Sequence, residues 1–279
     1  ADLCHDAQLS DRVMRQLIEP LCLSALNISV QQASASVFLR VLNDALLGGT
    51  KSSDLLIPRV DLGQIFPDAA CRWLAAHGAH IHLGKRVEAS DVADLYAQAT
   101  ANQSVLLACP AWESARLSAN LAPAWADQTS ALSHTAIATV YLHCKDPSFK
   151  GLSQTMVALH SAPEAPAQFV FDKGALSEQK GLLAAVVSAC GTERDALTAQ
   201  VQVQVSEQLG LHQLEAIQTM VEKRATLACK PMLDRPAPFV MTGLWACGDY
   251  IRGPYPSTLE GAVRSGQQVV TQLSQMTHC

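Results

Sequence analysis

The chain has 279 residues, 49% of them apolar and 16% charged, with a formal net charge of −5. That is enough apolar material for a sizeable core and one or two domains, and it excludes a disordered chain. A mildly acidic chain without a Lys/Arg run excludes a nucleic-acid partner, and no uncharged apolar stretch reaches the roughly 18 residues of a spanning helix.

In residues 6–47, Leu and Ile recur at helical spacing and Pro20 interrupts them, which predicts two or three helices before a turn at Gly48-Gly49. A short apolar segment with Pro58 and Arg59 follows at 55–62, and 66–77 is predicted as an amphipathic helix ended by Gly78. Residues 80–87 read as a strand. On it His80 and His82 would point to one face, with His77 close by, but no further ligand completes a metal set. No metal site is predicted, and surface histidines on an edge strand are expected instead. Residues 88–103, rich in Ala, Asp and Gln, read as helical, and 104–110 as a short apolar strand leaving through Cys109-Pro-Ala-Trp112. A helical segment then ends near Leu121.

β-branched and aromatic content predicts strands at 135–143, 168–171 and 182–189. Residues 193–209 read as a helix whose solvated face carries Gln202, Gln204 and Gln208. Residues 216–226 begin helical and pass into a strand. There Glu222, Lys223 and Arg224 read either as an acid/base set or as the charges of a solvated strand start. The nine cysteines have no C-x-x-C pair and mostly apolar neighbours, so they read as buried thiols in a reducing compartment. Asp2, His5 and Asp6 near the start do not form the basic region and apolar core of a secretory signal, and a cytoplasmic location is expected.

The most informative stretch is Gly243-Leu-Trp-Ala-Cys-Gly-Asp249 followed by Pro254-Tyr-Pro-Ser-Thr-Leu-Glu-Gly-Ala-Val-Arg-Ser-Gly266. It predicts a buried strand, a Gly248-Asp249 turn at its carboxyl end, and a capped helix whose first amides face an anionic or carbonyl-rich ligand. Ser257 and Glu260 stand in the S-x-x-E spacing of a capping box, and Pro256 keeps the preceding chain extended. Leu259, Ala262, Val263, Gly266, Val269, Val270 and Leu273 recur along the helix, while Gly261, Ala262, Ser265 and Gly266 form a face so small that something must approach it closely.

This string resembles the closing FAD-binding motif of the phytoene desaturase and flavin amine oxidase superfamily, with Cys247 where alanine is usual. The resemblance sharpens to the squalene-associated FAD-dependent desaturases, or hydroxysqualene dehydroxylases. It runs through Pro20-Leu-Cys-Leu-Ser-Ala-Leu-Asn27, Ala33-Ser-Ala-Ser-Val-Phe-Leu39, Asp54-Leu-Leu-Ile-Pro-Arg-Val-Asp-Leu62, Glu222-Lys-Arg-Ala-Thr226 and Tyr255 to Gly266. The superfamily's opening G-x-G-x-x-G strand–turn–helix is missing, so the resemblance implies a C-terminal fragment that holds the flavin end of a split FAD site.

The resemblance implies an α/β fold, α+β overall, with a partial Rossmann-like FAD-binding domain and a substrate domain of mixed sheet and helices. The expected division is 1–78, helical substrate-domain part; 79–125, FAD-domain segment; 126–225, substrate-domain sheet and helices; and 226–279, FAD-domain strand and helix. The implied cofactor residues are Val87, through its main chain against the adenine, then Gly248, Asp249, Tyr255, Pro256, Thr258 and Leu259. An ordinary strand-end valine is the other reading of Val87. Arg224 is expected near the cofactor, and Tyr250 and Tyr255 are expected to line the flavin face or close a tunnel.

The implied activity is FAD-dependent oxidoreduction of a long apolar isoprenoid, reducing hydroxysqualene to squalene or performing a related desaturation. The implied partners are that isoprenoid and, peripherally, a membrane surface. A flavin amine oxidase and a non-catalytic apolar binding module are the alternatives. No catalytic group is singled out; Asp61 and Glu260 are the carboxylates to test first.

Overall fold

The computed structural model describes residues 2–100, 103–177, 179–191 and 193–276. It begins with α1 (Asp2–Asp6) and α2 (Asp11–Val13), which continues through a π-helical turn at Met14–Ile18 into α3 (Glu19–Leu26), and then α4 (Ala35–Leu46). Next come α5 (Leu62–Ile65), α6 (Pro67–Ala76), α7 (Ala89–Gln98), β1 (Val105–Leu107), α8 (Ala111–Ser118), α9 (Pro123–Ser130), β2 (His134–Cys144), β3 (Met156–Ala158) and β4 (Phe169–Asp172). The chain closes with α10 (Lys173–Ser177), β5 (Leu182–Ser188), α11 (Arg194–Leu209), β6 (Leu214–Leu227), β7 (Phe239–Met241), β8 (Leu244–Ala246) and α12 (Leu259–Met276). The mixture of helices and sheets is the expected α/β class.

The chain divides into two compact units. The first takes the described residues up to 52, then 86–135 and those from 224 on; the second takes 53–85 and 136–223. The first 52 residues therefore join the C-terminal strand and helix, whereas the division read from the sequence grouped them with 53–78.

The second unit is built on a five-stranded sheet of order β3-β4-β5-β2-β6. β2 pairs antiparallel with β5, setting Ala138 opposite Val187, Val140 opposite Ala185 and Leu142 opposite Leu183. Alternation along β2 buries Ala138, Val140 and Leu142 on one face, where Leu197, Val201 and Val205 of α11 complete the core. Of the three α11 glutamines expected on a solvated face, Gln208 is exposed, but Gln202 and Gln204 are drawn inward. Gln204 is buried, accepts from the Ala167 N–H at 2.8 Å and donates to the carbonyls of Ala167 and His160, while Gln202 donates to the Leu214 carbonyl at 2.8 Å. An amide side chain matches the unpaired backbone of a neighbouring loop, which composition does not reveal.

Two further expectations are corrected in this unit. Residues 80–85, with Arg86 and Val87 beyond them, form no strand: the segment is exposed throughout, Gly84 turns it at φ +70°, and among the described residues no partner strand pairs with it. Alternation of side chains does not make a strand without a ladder partner. Residues 216–226 contain no helix, because β6 is one continuous strand whose Ala216 and Val221 pack on the sheet core. Sheet pairing overrides local helical preference there.

In the first unit a three-stranded sheet has the order β1-β8-β7, with β1 parallel to β8 in the register Val105–Leu244, Leu106–Trp245 and Leu107–Ala246. All three residues of β8 are buried, as expected of a parallel strand covered on both faces. Its core draws Val92 from α7, Leu117 from α8, Trp125 from α9 and Tyr250 from beyond β8. A second cluster gathers Cys22 and Leu26 of α3, Phe38 of α4, Ala228 and Cys229. α3 ends on Asn27 in the left-handed region, and the buried Asn27 amide donates to Thr135 Oγ1 at 3.0 Å and Thr226 Oγ1 at 2.9 Å, tying the start of β2 to the end of β6.

Among the described cysteines Cys22, Cys144 and Cys229 are buried and none is in a disulfide, but Cys71 is exposed. Cys279 lies outside the described residues.

Candidate functional site

The site grows from the carboxyl end of β8. Cys247 extends the strand pairing by one residue, its N–H donating to the Leu107 carbonyl at 2.9 Å. The Gly248 N–H then donates to Ser265 Oγ at 3.2 Å, so the group that approaches the small face of α12 is the Gly-Asp turn itself. A Cβ at position 248 would lie 2.6 Å from the Tyr250 ring. That ring cannot yield: it is buried, its hydroxyl donates to Ser114 Oγ at 2.8 Å, and burial pushes the phenol well above its ordinary value.

Arg235 holds this turn from beneath. It is 8% exposed, and its guanidinium donates to the carbonyls of Tyr250 at 3.2 Å, Gly253 at 3.4 Å and Tyr255 at 2.6 Å, and also to that of Asp249. Burial pulls its pKa below the usual arginine value, opposed by the Cys229 thiol and the Asp249 carboxylate. Four donors in a planar fork thus fix the path from Asp249 to Tyr255. The Asp249 carboxylate accepts from the Ser257 hydroxyl. Ser257 is therefore not the helix cap; the Gly261 N–H donates to Thr258 Oγ1 at 3.1 Å, and Glu260 pairs with Arg264 at 2.5 Å. The capping-box reading fails because the carboxylate across the turn takes the serine hydroxyl, leaving the next hydroxyl to cap.

Beside the turn lies a pocket of about 300 Å³. Its walls include Trp112 at the start of α8, His134 at the start of β2, Arg224 near the end of β6, and Gly248 and Asp249, over a floor with Ala262. The Arg224 guanidinium sits 4.8 Å from the Trp112 ring centre, and His134 meets the same indole edge-on at 5.3 Å and 79°. Burial lowers the His134 pKa, Arg224 lowers it further, and Asp249 opposes both. The pocket thus presents one aromatic plane, one fixed cation, one carboxylate and one imidazole held toward its neutral form.

Of the residues expected at a cofactor, Gly248 and Asp249 line this pocket, and Arg224 joins them. Pro256 and Thr258 lead into α12 and Leu259 begins it, and none of the three is in the pocket lining. Tyr250 points into the core, and Tyr255 lines a separate cavity, its hydroxyl accepting from Arg40 Nη2 at 3.0 Å. Val87 is outside any strand and its carbonyl accepts from Arg116 Nη2 at 2.8 Å. Glu260 is spent on a surface ion pair, and Asp61 precedes α5 in the second unit without a side-chain cap bond. No group of three or more metal-ligating side chains occurs among the described residues.

His134, Arg235 and the ring role of Trp112 are not legible in the sequence. A lone histidine, an arginine between Asp234 and Pro236, and a tryptophan after a strand carry no spacing pattern. Each acquires its role from a segment remote in the chain.

No protein-family profile matches the chain. It is 27% identical over 273 residues to a hydroxysqualene dehydroxylase of Rhodopseudomonas palustris, covering 91% of this chain and 60% of that protein. A hydroxysqualene dehydroxylase of Zymomonas mobilis is 23% identical over 290 residues, at 94% and 65%, and one of Sinorhizobium fredii 24% over 273 residues, at 91% and 61%. The chain thus spans between 60% and 65% of the length of these curated relatives. In fold it is similar to an oxidoreductase from Methanosarcina mazei, with a TM-score of 0.65 at 16% identity over 97% of this chain and 67% of that one. A structure from Exiguobacterium sp. 255-15 that carries a protoporphyrinogen oxidase name gives 0.55 at 15% identity, over 96% and 65%. With the Gly-Asp turn and its helix in place, the chain is similar to hydroxysqualene dehydroxylases in sequence and to oxidoreductases in fold.

Proposed function

We propose that this chain carries the flavin end of an FAD site in an oxidoreductase that reduces hydroxysqualene to squalene. The observation that carries the reading is the pocket at the end of β8, where Asp249, Arg224, Trp112 and His134 converge beside the first turn of α12, in a chain whose relatives are hydroxysqualene dehydroxylases. A volume of about 300 Å³ is at the low end for a small-molecule site and takes one end of a dinucleotide, not the whole. The floor of small residues at Ala108, Ala111, Ala225 and Ala262 leaves room for a flat ring, and Asp249 suits cofactor hydroxyls.

When bound, the flavin supplies hydride transfer between its ring and a carbon. The protein's share is positional. Asp249, fixed by Ser257 and by Arg235 through its carbonyl, orients hydroxyls. The first-turn amides at Thr258 and Leu259 favour negative charge by about 0.3–1 kcal/mol. Arg224, held on Trp112, supplies a cation to the pocket. His134, held toward its neutral form by burial, lines the same pocket and adds a polar edge beside the ring. The proposed isoprenoid is apolar apart from its hydroxyl, and peripheral contact with a membrane belongs to the same reading; no helix among the described residues is long and apolar enough to cross one.

Purified full-length protein is expected to be yellow, and lipid extraction after incubation with hydroxysqualene and a reductant is expected to yield squalene. Asp249→Ala should lower retained FAD per chain by about tenfold, a loss of about 1.4 kcal/mol in binding. A colourless full-length protein that will not take up FAD sinks the proposal, and bound isoprenoid without turnover would favour a binding module.

A further inference from the structure

On the other side of the Asp249–Tyr255 turn lies a second cavity of about 210 Å³, also within the first unit. Arg40, Arg235, Arg252 and Arg264 all stand in its wall, with Tyr255 and Gln268, and no carboxylate does. Arg40 and Arg264 lie 5.1 and 5.2 Å from the centre of the same Tyr255 ring, so two like charges share one aromatic partner. Three of the guanidiniums have surface carboxylate partners: Asp44 for Arg40 at 2.9 Å, Asp234 for Arg252 at 3.4 Å and Glu260 for Arg264 at 2.5 Å. Pairs as exposed as these contribute only about 0–1 kcal/mol each, so an incoming anion can compete with them. Arg235, the buried member, has only backbone carbonyls as hydrogen-bond partners and feels the Asp249 carboxylate only through space.

Three carboxylates pair with three of the four guanidiniums from outside the hollow, so the charged groups that line the hollow itself are all cations, and guanidinium forks match tetrahedral oxyanions in a bidentate manner. We propose that this cavity is a binding site for a phosphate-class anion, separate from the pocket beside Asp249. The group can come from a free diphosphate or from the headgroup of an anionic phospholipid; both offer the same oxygens to the same forks. The inference is independent of the flavin reading, since none of the four arginines lines the other pocket.

The test is titration calorimetry of inorganic diphosphate into the full-length protein, with parallel sedimentation on phosphatidylglycerol and phosphatidylcholine vesicles. Saturable binding of one diphosphate per chain is expected, or, where the source is a lipid, binding to phosphatidylglycerol vesicles only. The double variant Arg40→Gln, Arg264→Gln should weaken either by at least about tenfold, and Arg40→Lys, Arg264→Lys by less, because charge survives and the forks do not. The unfolding temperature of the glutamine variant without anion should be little changed, since the exposed pairs it loses contribute only about 0–1 kcal/mol each. The proposal is overturned if neither probe binds saturably, if the glutamine variant binds as the parent does, or if diphosphate displaces FAD, which would assign the cavity to the cofactor. Protein that binds diphosphate but takes up no FAD would leave this inference standing while the flavin reading fails.

Discussion

Arg235 shows how one side chain sets a site it does not enter. Its guanidinium spans the carbonyls from Asp249 to Tyr255, and each would be left without its donor if the arginine were removed. Arg235→Met is therefore expected to cost at least about 3 kcal/mol of stability in urea denaturation, because bonds to a charged donor are worth about 1.5–3 kcal/mol each. Arg235→Lys should recover only part of the loss, since a point charge cannot fill a fork. His134 makes a prediction of another kind. Burial depresses its folded-state pKa, so the unfolded chain takes up the proton more readily. Stability contributed by the neutral imidazole is thus present above the unfolded value of about 6.5 and declines as pH falls through it, levelling off below the folded value. Denaturation midpoints measured between about pH 8 and 5 should fall on the acid side, and His134→Gln should flatten that slope; an unchanged slope in the variant would remove His134 from the account.

At the scale of elements, α12 separates what a motif suggests from what a fold assigns. Its S-x-x-E spacing points to Ser257 and Glu260, but the cap bond comes from Thr258 and the Glu260 partner is Arg264. Thr258→Ala should cost about 1 kcal/mol, whereas Glu260→Ala should stay within about 0.5 kcal/mol because an exposed i,i+4 pair contributes little. Equal losses in thermal denaturation would restore the capping-box reading. The apolar series of the same helix divides in a way periodicity alone does not decide. Val269 and Ser265 are buried, while Leu259, Val263 and Val270 are exposed. On α11 the reverse holds, where a polar series is drawn inward because Gln204 satisfies the backbone of Ala167 and His160. Polarity marks a solvent face only when no unpaired backbone lies opposite.

For the whole molecule, the second unit carries apolar side chains in solvent, among them Leu55, Leu56, Phe66, Trp73 and Leu83, with Leu56 at 95% and Leu83 at 89% exposure. Exposed apolar groups in such number drive association. The 279-residue chain is expected to self-associate in light scattering, and Leu56→Asp with Leu83→Asp to shift it toward monomer; a monodisperse monomer at high concentration would contradict this. The strands β1, β2, β4, β5 and β8, the Gly-Asp turn and the likeness to hydroxysqualene dehydroxylases were legible from the sequence, because buried strands and glycine turns write their requirements locally in residue type and order. The missing strand at 80–87, the continuous β6, the cap on Thr258, and the assembly of Trp112, His134, Arg224 and Arg235 about one turn were decided by tertiary structure. The physical reason is common to all of them: a ladder partner, a hydrogen-bond acceptor or a ring beneath a cation is supplied by residues far along the chain, and only the folded backbone brings them within reach.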